Sequence, residues 1–178
     1  DFFTLNYASR ELNNLILGAK VQKITMPTDF EAVLTVYNGK TQKLIISCNA
    51  INSRVGLTNL DKKNPLVAKN FCMLLRKYIE RGVIKKIVQY QNDRLIEMHI
   101  TAYNELDDEN TFILIFEIMG RNSNIIVLNS EFTIIDAIRK LPPTFDNTRI
   151  ILPHAKYTYP TISKSINPFV DDIPPVLE

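Results

Sequence analysis

The hydrophobic positions change period along the chain. Over residues 2–17, Leu5, Ala8, Leu12, Leu15 and Ile16 fall on one stripe at helical spacing, which predicts an amphipathic helix. Gly18 supplies its stop, and Asp1 can cap its exposed amides. The period then drops to two. Residues 21–26 and 30–37 read as strands, the second with Ala32, Leu34 and Val36 on one face. Asn38-Gly39 predicts a type I′ turn with positive φ at both residues, joining that strand to 42–48 as a hairpin. Residues 54–58 form a short edge strand. Asn64-Pro65 pairs an N-cap residue with proline at the first helical position, so a second helix is expected from there to Gly82. Its inner stripe would be Val67, Phe71, Leu74 and Tyr78.

Beyond Gly82 the alternation returns over 83–90, 95–103, 111–119, 125–129 and 132–138. Ile96, Met98, Ile100 and Ala102 share one face of the second of these, and Phe112, Leu114, Phe116 and Ile118 one face of the third. The joints are short enough for antiparallel neighbours. Helix, strands, helix and strands in this order predict an α+β fold, an antiparallel β-sandwich with flanking helices. Residues 1–160 would form one domain. Residues 161–178, with Pro168, Pro174 and Pro175, read as a linker or the start of a further domain.

Composition sharpens this picture only by exclusion. Apolar residues make up 46% and charged residues 22% of the 178, which rules out disorder and collagen-like fibres. No apolar run approaches the roughly 18 residues of a membrane-spanning helix, so membrane insertion is not expected. Cys48 and Cys72 are too few for a disulfide scaffold or a tetrahedral zinc site, and reduced thiols are expected. Net charge is only +2, but it is uneven. Lys62, Lys63, Lys69, Arg76, Lys77, Arg81, Lys85, Lys86 and Arg94 crowd residues 62–94 against Glu80 and Asp93. Arg76, Lys77 and Arg81 fall in the last turns of the second helix, where they either offset its dipole or face phosphates.

Catalytic templates are absent: there is no G-x-G-x-x-G, P-loop, G-x-S-x-G or H-E-x-x-H. His99 and His154 lack neighbours at metal-ligand spacing. Glu97 and Glu117 stand alone on strand faces, as cross-strand partners for lysines. No catalytic residue, metal site, cofactor or small-molecule substrate is expected. Three polar spots remain. Asn92-Asp93-Arg94 is a turn tip whose aspartate can aim the arginine's fork at a phosphate or base edge, although a plain turn explains it equally. Gly120-Arg121-Asn122-Ser123-Asn124 combines close backbone approach, a planar donor and neutral donors, or is simply a hairpin. Asp1 is the third.

Several stretches resemble the NFACT N-terminal domain of the RqcH/NEMF family, whose bacterial members are also called fibronectin-binding protein A-like. They are Asp1-Phe2-Phe3-Thr4 with Ser9-Arg10-Glu11-Leu12, Gly18-Ala19-Lys20-Val21, and Phe71-Cys72-Met73-Leu74-Leu75-Arg76-Lys77-Tyr78-Ile79-Glu80-Arg81-Gly82. Asn92-Asp93-Arg94, Phe116-Glu117-Ile118-Met119-Gly120-Arg121, Asp136-Ala137-Ile138 and Ile151-Leu152-Pro153 continue the match. The resemblance implies a fold similar to the N-terminal domain of formamidopyrimidine-DNA glycosylase, with a helix-hairpin-helix domain following. It implies a cytoplasmic factor that binds large ribosomal subunits carrying stalled peptidyl-tRNA, and so rRNA and tRNA. Such a factor recruits tRNA (alanyl-tRNA in bacteria) for mRNA-independent C-terminal tailing.

By the same resemblance Asp1, Asp93, Arg94 and Arg121 match functional positions. Asn122 stands where the family commonly has His, and His154 where it has Gly. Glycosylase chemistry is not expected, because that family's N-terminal proline and zinc-finger cysteines are missing. An RNA-binding module is therefore the expected function, using Asp1, Asp93, Arg94, Arg121 and the basic helix end Arg76, Lys77 and Arg81. The alternative is a surface adhesin with fibronectin as partner.

Overall fold

A computed structural model describes residues 12–90, 94–145 and 149–160. Residues 12–16 are helical (α1) and end at Gly18, whose φ of 83° only glycine adopts without strain. Four strands follow: β1 (Lys20–Thr28), β2 (Glu31–Tyr37), β3 (Thr41–Ser47) and β4 (Arg54–Thr58). Then come helix α2 (Asn70–Ile79) and strands β5 (Val83–Tyr90), β6 (Leu95–Tyr103), β7 (Glu109–Glu117), β8 (Asn124–Asn129) and β9 (Ile134–Ala137), with a 3₁₀ turn at Gly120–Asn122 before β8.

All nine strands form one antiparallel sheet, ordered β4-β3-β2-β1-β5-β6-β7-β8-β9. Two meanders meet at β1 and β5, which pair only at Lys20↔Val83. Backbone bonds reinforce this seam: Gly18 N donates to Ile84 O (2.8 Å), Val21 N to Gly82 O (2.8 Å) and Arg81 N to Val21 O (2.7 Å). The expected antiparallel α+β order holds, but the strands do not divide into the two sheets of a sandwich. The sheet curls instead, because strand twist accumulates over nine strands. Ser53 Oγ in the β3–β4 loop donates to Gly120 O (3.1 Å) between β7 and β8, although these elements are far apart in the strand order.

The inner face carries the larger core, with Leu34, Leu44, Ile46, Met98, Leu114, Phe116 and Val127 among its buried members. The outer face of β6–β9 carries a second core, in which Ile113, Ile115, Ile126 and Leu128 pack beneath Ile151 and Tyr157. Being covered on both sides makes β8 read as an unbroken apolar run, Ile125 to Leu128.

Two local expectations are corrected. Helix α2 starts at Asn70, with Lys69 at its N-cap, and not at Asn64-Pro65. Residues 60–69 stay non-helical and are tied to the sheet end by Lys62–Glu31 and Lys69–Asp29 ion pairs. Val67 is consequently 80% exposed. Cys72, Leu75 and Ile79 form the buried stripe, and Phe71, Leu74 and Tyr78 only flank it. The β2–β3 turn has positive φ at Gly39 alone (79°), not at Asn38. Tyr37 pairs with Thr41, leaving a three-residue loop rather than the two-residue loop a type I′ turn requires. The first-helix residues Leu5 and Ala8 lie outside the described residues.

Candidate nucleic-acid interface

The end of the sheet where β6 begins and β7 ends is built to hold a turn rigidly. Ile118 N donates to Arg94 O (2.8 Å), so the first residue before β6 is fastened to the chain entering the Gly120 turn. Within that turn Ser123 is fully buried. Its Oγ accepts from Met119 N (2.9 Å), donates to Gly120 O (2.7 Å) and lies 2.9 Å from Ser53 Oγ. Gly120 has φ of 56°, the left-handed region that favours glycine.

Arg139, a residue that sequence reasoning did not single out, locks the same end. Its Nε donates to Ser123 O (2.8 Å) and its Nη2 to Cys48 O (3.0 Å), while its guanidinium stacks 4.3 Å over Phe30. Asn124 and Arg139 exchange two further bonds, Asn124 Nδ2 to Arg139 O (2.9 Å) and Arg139 N to Asn124 Oδ1 (3.0 Å). An arginine after an apolar strand gave no sign of this bridging, because its partners come from three separate segments, around Phe30, Cys48 and Ser123.

The cations expected to face RNA separate into two groups. Arg94 and Arg121 are both exposed at the braced end, and neither has an ion-pair partner among the described residues. The α2 cations do not join them. Arg76 donates its Nε to Ile24 O (2.9 Å), and Lys77 Nζ sits 5.2 Å from the Tyr78 ring centroid. Arg81, with φ of 73°, leads into β5 at the opposite end of that strand from Arg94. An eight-residue strand places them roughly 25 Å apart. Asp1 and Asp93 lie outside the described residues.

The sequence reading of Glu97 and Glu117 as cross-strand partners for lysines is corrected: both are buried on the outer face and hydrogen-bond to other side chains. Arg149 grips Glu117 with both terminal nitrogens, one at 2.9 Å, and Tyr157 donates to the same carboxylate at 2.6 Å. Tyr159 donates to Glu97 Oε1 (2.7 Å), and His99 Nε2 lies 2.6 Å from Glu97 Oε2. Burial pushes the Glu97 pKa up, but the bonds from His99 and Tyr159 outweigh it and hold the carboxyl below its ordinary value. Burial, with the adjacent carboxylates, drives the pKa of Tyr157 and of Tyr159 upward. Burial works against the charge of Arg149, yet Glu117 more than offsets it and raises its pKa. Both Glu117 oxygens and Glu97 Oε1 fasten residues 149–159 to the sheet, while Glu97 Oε2 is held by His99 on β6. Among the described residues no group of three or more His, Cys, Asp or Glu could hold a metal ion.

At one end of the curled antiparallel sheet the structure thus sets a rigid turn beside two exposed arginines that have no ion-pair partner among the described residues. The NFACT N-terminal and middle domains family model matches residues 1–176, and the chain belongs to that family. It is 38% identical to "Rqc2 homolog RqcH" of Streptococcus suis (strain 05ZYH33), over 95% of this chain and 31% of that protein. It is 40% identical to "Rqc2 homolog RqcH" of Bacillus subtilis (strain 168), over 90% and 28%. The archaeal homologue aRqcH of Methanocaldococcus jannaschii is 33% identical over 89% and 23%. The chain thus spans less than a third of these relatives. Among solved structures, the N-terminal part of a fibronectin/fibrinogen-binding protein from Streptococcus suis superposes with a TM-score of 0.90 at 37% identity. That match covers 96% of this chain and 64% of the other. The N-terminal domain of the fibronectin-binding protein PavA from Streptococcus pneumoniae gives 0.88 at 33%, over 95% and 64%.

Proposed function

We propose that this domain is the RNA-facing module of a ribosome quality-control factor. The factor acts in the cytoplasm on large ribosomal subunits that carry stalled peptidyl-tRNA, and it recruits tRNA for mRNA-independent tailing of the nascent chain. The single observation that carries the reading is the pairing of family with geometry. RqcH relatives align along nearly the whole chain, and the Arg94 and Gly120-Arg121 segments are fastened together at one sheet end. Arginine forks there can contact phosphates, while Asp93 is placed in sequence to orient a base edge or 2′-OH. The domain itself makes and breaks no bond in this reading. The α2 cations, at the far end of β5, contribute general phosphate attraction at most. The adhesin alternative is not favoured, since the fibronectin label belongs to the names of structural neighbours and the curated relatives are named for RqcH.

The test is sedimentation of the full-length protein with purified large subunits, with and without peptidyl-tRNA. Co-sedimentation that strengthens with peptidyl-tRNA is expected. A protein that stays in the supernatant under both conditions refutes the reading.

A further inference from the structure

A β-bulge lies on each side of the seam between the two meanders. In β1 the pairing with β2 slips between Val21 and Lys23, so Lys20 faces Tyr37 and Lys23 faces Thr35. Positions three apart on a regular strand point to opposite faces. Here the extra residue puts Lys20 and Lys23 on the same face, about 7 Å apart. In β5 the pairing with β6 slips between Ile84 and Lys86, so Val83 faces Thr101 and Lys86 faces His99. Val83 and Lys86 therefore also share a face, and Val83 is the residue that pairs with Lys20 across the seam. Lys86 thus stands one strand over and two residues along from Lys20, about 8 Å away. Because β1 and β5 are antiparallel, Lys23 and Lys86 lie on either side of Lys20.

The three lysines form a line on the outer face, since Val21, Ile24, Ile84 and Ile87 point into the larger core. All three are exposed, and none has an ion-pair partner among the described residues. The acids within their field are occupied. Asp61, near Lys23, is held by Lys43, and Glu97, near Lys86, is buried beneath its bonds from His99 and Tyr159. Hydroxyls fill the positions beside the line: Lys23, Lys43, Thr25 and Thr35 border one shallow hollow, and Thr41 pairs with Tyr37. Tyr37 is the only aromatic side chain in β1, β2 or β3.

Protein interfaces centre on aromatic and apolar anchors and are poor in lysine, which this face is not. Lysine point charges among hydroxyls suit the phosphates and 2′-hydroxyls on the outside of an RNA duplex. We propose that the Lys23–Lys20–Lys86 line docks the backbone of a double-helical RNA segment, whatever its sequence. The proposal rests on the RNA-facing reading and deepens it with a second surface. The lysines sit at the seam, whereas Arg94 lies beyond the other end of β5.

The experiment measures binding of full-length protein to two labelled RNA duplexes of unrelated sequence across a salt series. In Lys20→Gln/Lys23→Gln/Lys86→Gln, affinity for both duplexes should fall at least about tenfold at low salt. The slope of log affinity against log salt should drop by about two to three. Lys20→Gln alone, which alters one exposed side chain, should lower the slope by about one. Lys140→Gln, which removes a charge beyond β9, should leave it at the wild-type value. The thermal midpoint of each variant should match the wild type. Wild-type affinity and slope in the triple variant overturn the proposal. So does loss for one duplex only, or loss matched by a fallen midpoint in both the triple and the Lys20 variants. Vesicles of anionic phospholipid that bind the wild type but not the triple variant, with duplex binding unchanged, assign the line to a lipid surface and overturn it too. Co-sedimentation with large subunits, run alongside, separates the two readings. Wild-type protein that pellets with subunits while the triple variant binds duplexes normally removes only the lysine line. Wild-type protein that neither pellets nor binds duplex brings down both.

Discussion

Replacing Arg149 by Met keeps most of the aliphatic stem and removes the cation from Glu117, a carboxylate only 1% exposed. Breaking a buried pair by removing one partner commonly costs about 3–5 kcal/mol, because the other charge is left uncompensated. Two features of the site set where in that range the loss should fall. The Tyr157 hydroxyl still donates to Glu117 at 2.6 Å, and the Arg149 side chain is 18% exposed, so water moderates the pair. A loss of about 3 kcal/mol is expected, a large share of the roughly 5–15 kcal/mol that holds a typical domain. The chain has no tryptophan, so unfolding in urea is followed by circular dichroism. Neutralising the acid as well, in Glu117→Gln with Arg149→Met, should recover at least about 2 kcal/mol as coupling in the double-mutant cycle. A deficit of Arg149→Met below about 1 kcal/mol refutes the reasoning.

Further outcomes follow from single contacts. Gly82→Ala should destabilise by about 1–3 kcal/mol in the same urea assay, because a Cβ there would meet Ile100 Cγ2 at 2.5 Å and Ile79 O at 3.0 Å. A gain in stability would show that Ile100 moves aside freely. Neither cysteine should react with a thiol reagent at about pH 8 until the protein unfolds. Burial pushes the Cys48 pKa up to about 12, with Arg139 opposing, and raises that of Cys72; rapid native labelling would contradict both placements. Asp93→Ala with Arg94→Ala in the full-length protein should keep the fold and much of the ribosome association while abolishing tails on the stalled nascent chain. Normal tail ladders would remove this pair from the site.

Strand identity was legible from the residues alone in β2 and β6, because a period of two with one apolar face leaves little choice of pairing there. The stop at Gly18 was legible for a similar reason, since few other residues tolerate its φ of 83°. The start of α2 was not. Asn64-Pro65 is a sound local signal, but the chain must first travel along the sheet end, held by Glu31 and Asp29. Only at Asn70 does a helical stripe face the core. The partners of Glu97 and Glu117 were equally out of reach, because residues 149–159 approach from far along the chain. Local periodicity also cannot distinguish one curled sheet from two packed sheets, since both bury the same alternating faces. That choice rests on long-range contacts. They are the seam between β1 and β5, and the Ser53, Arg139 and Ile118 bonds that hold the Arg94 and Gly120-Arg121 segments at one end.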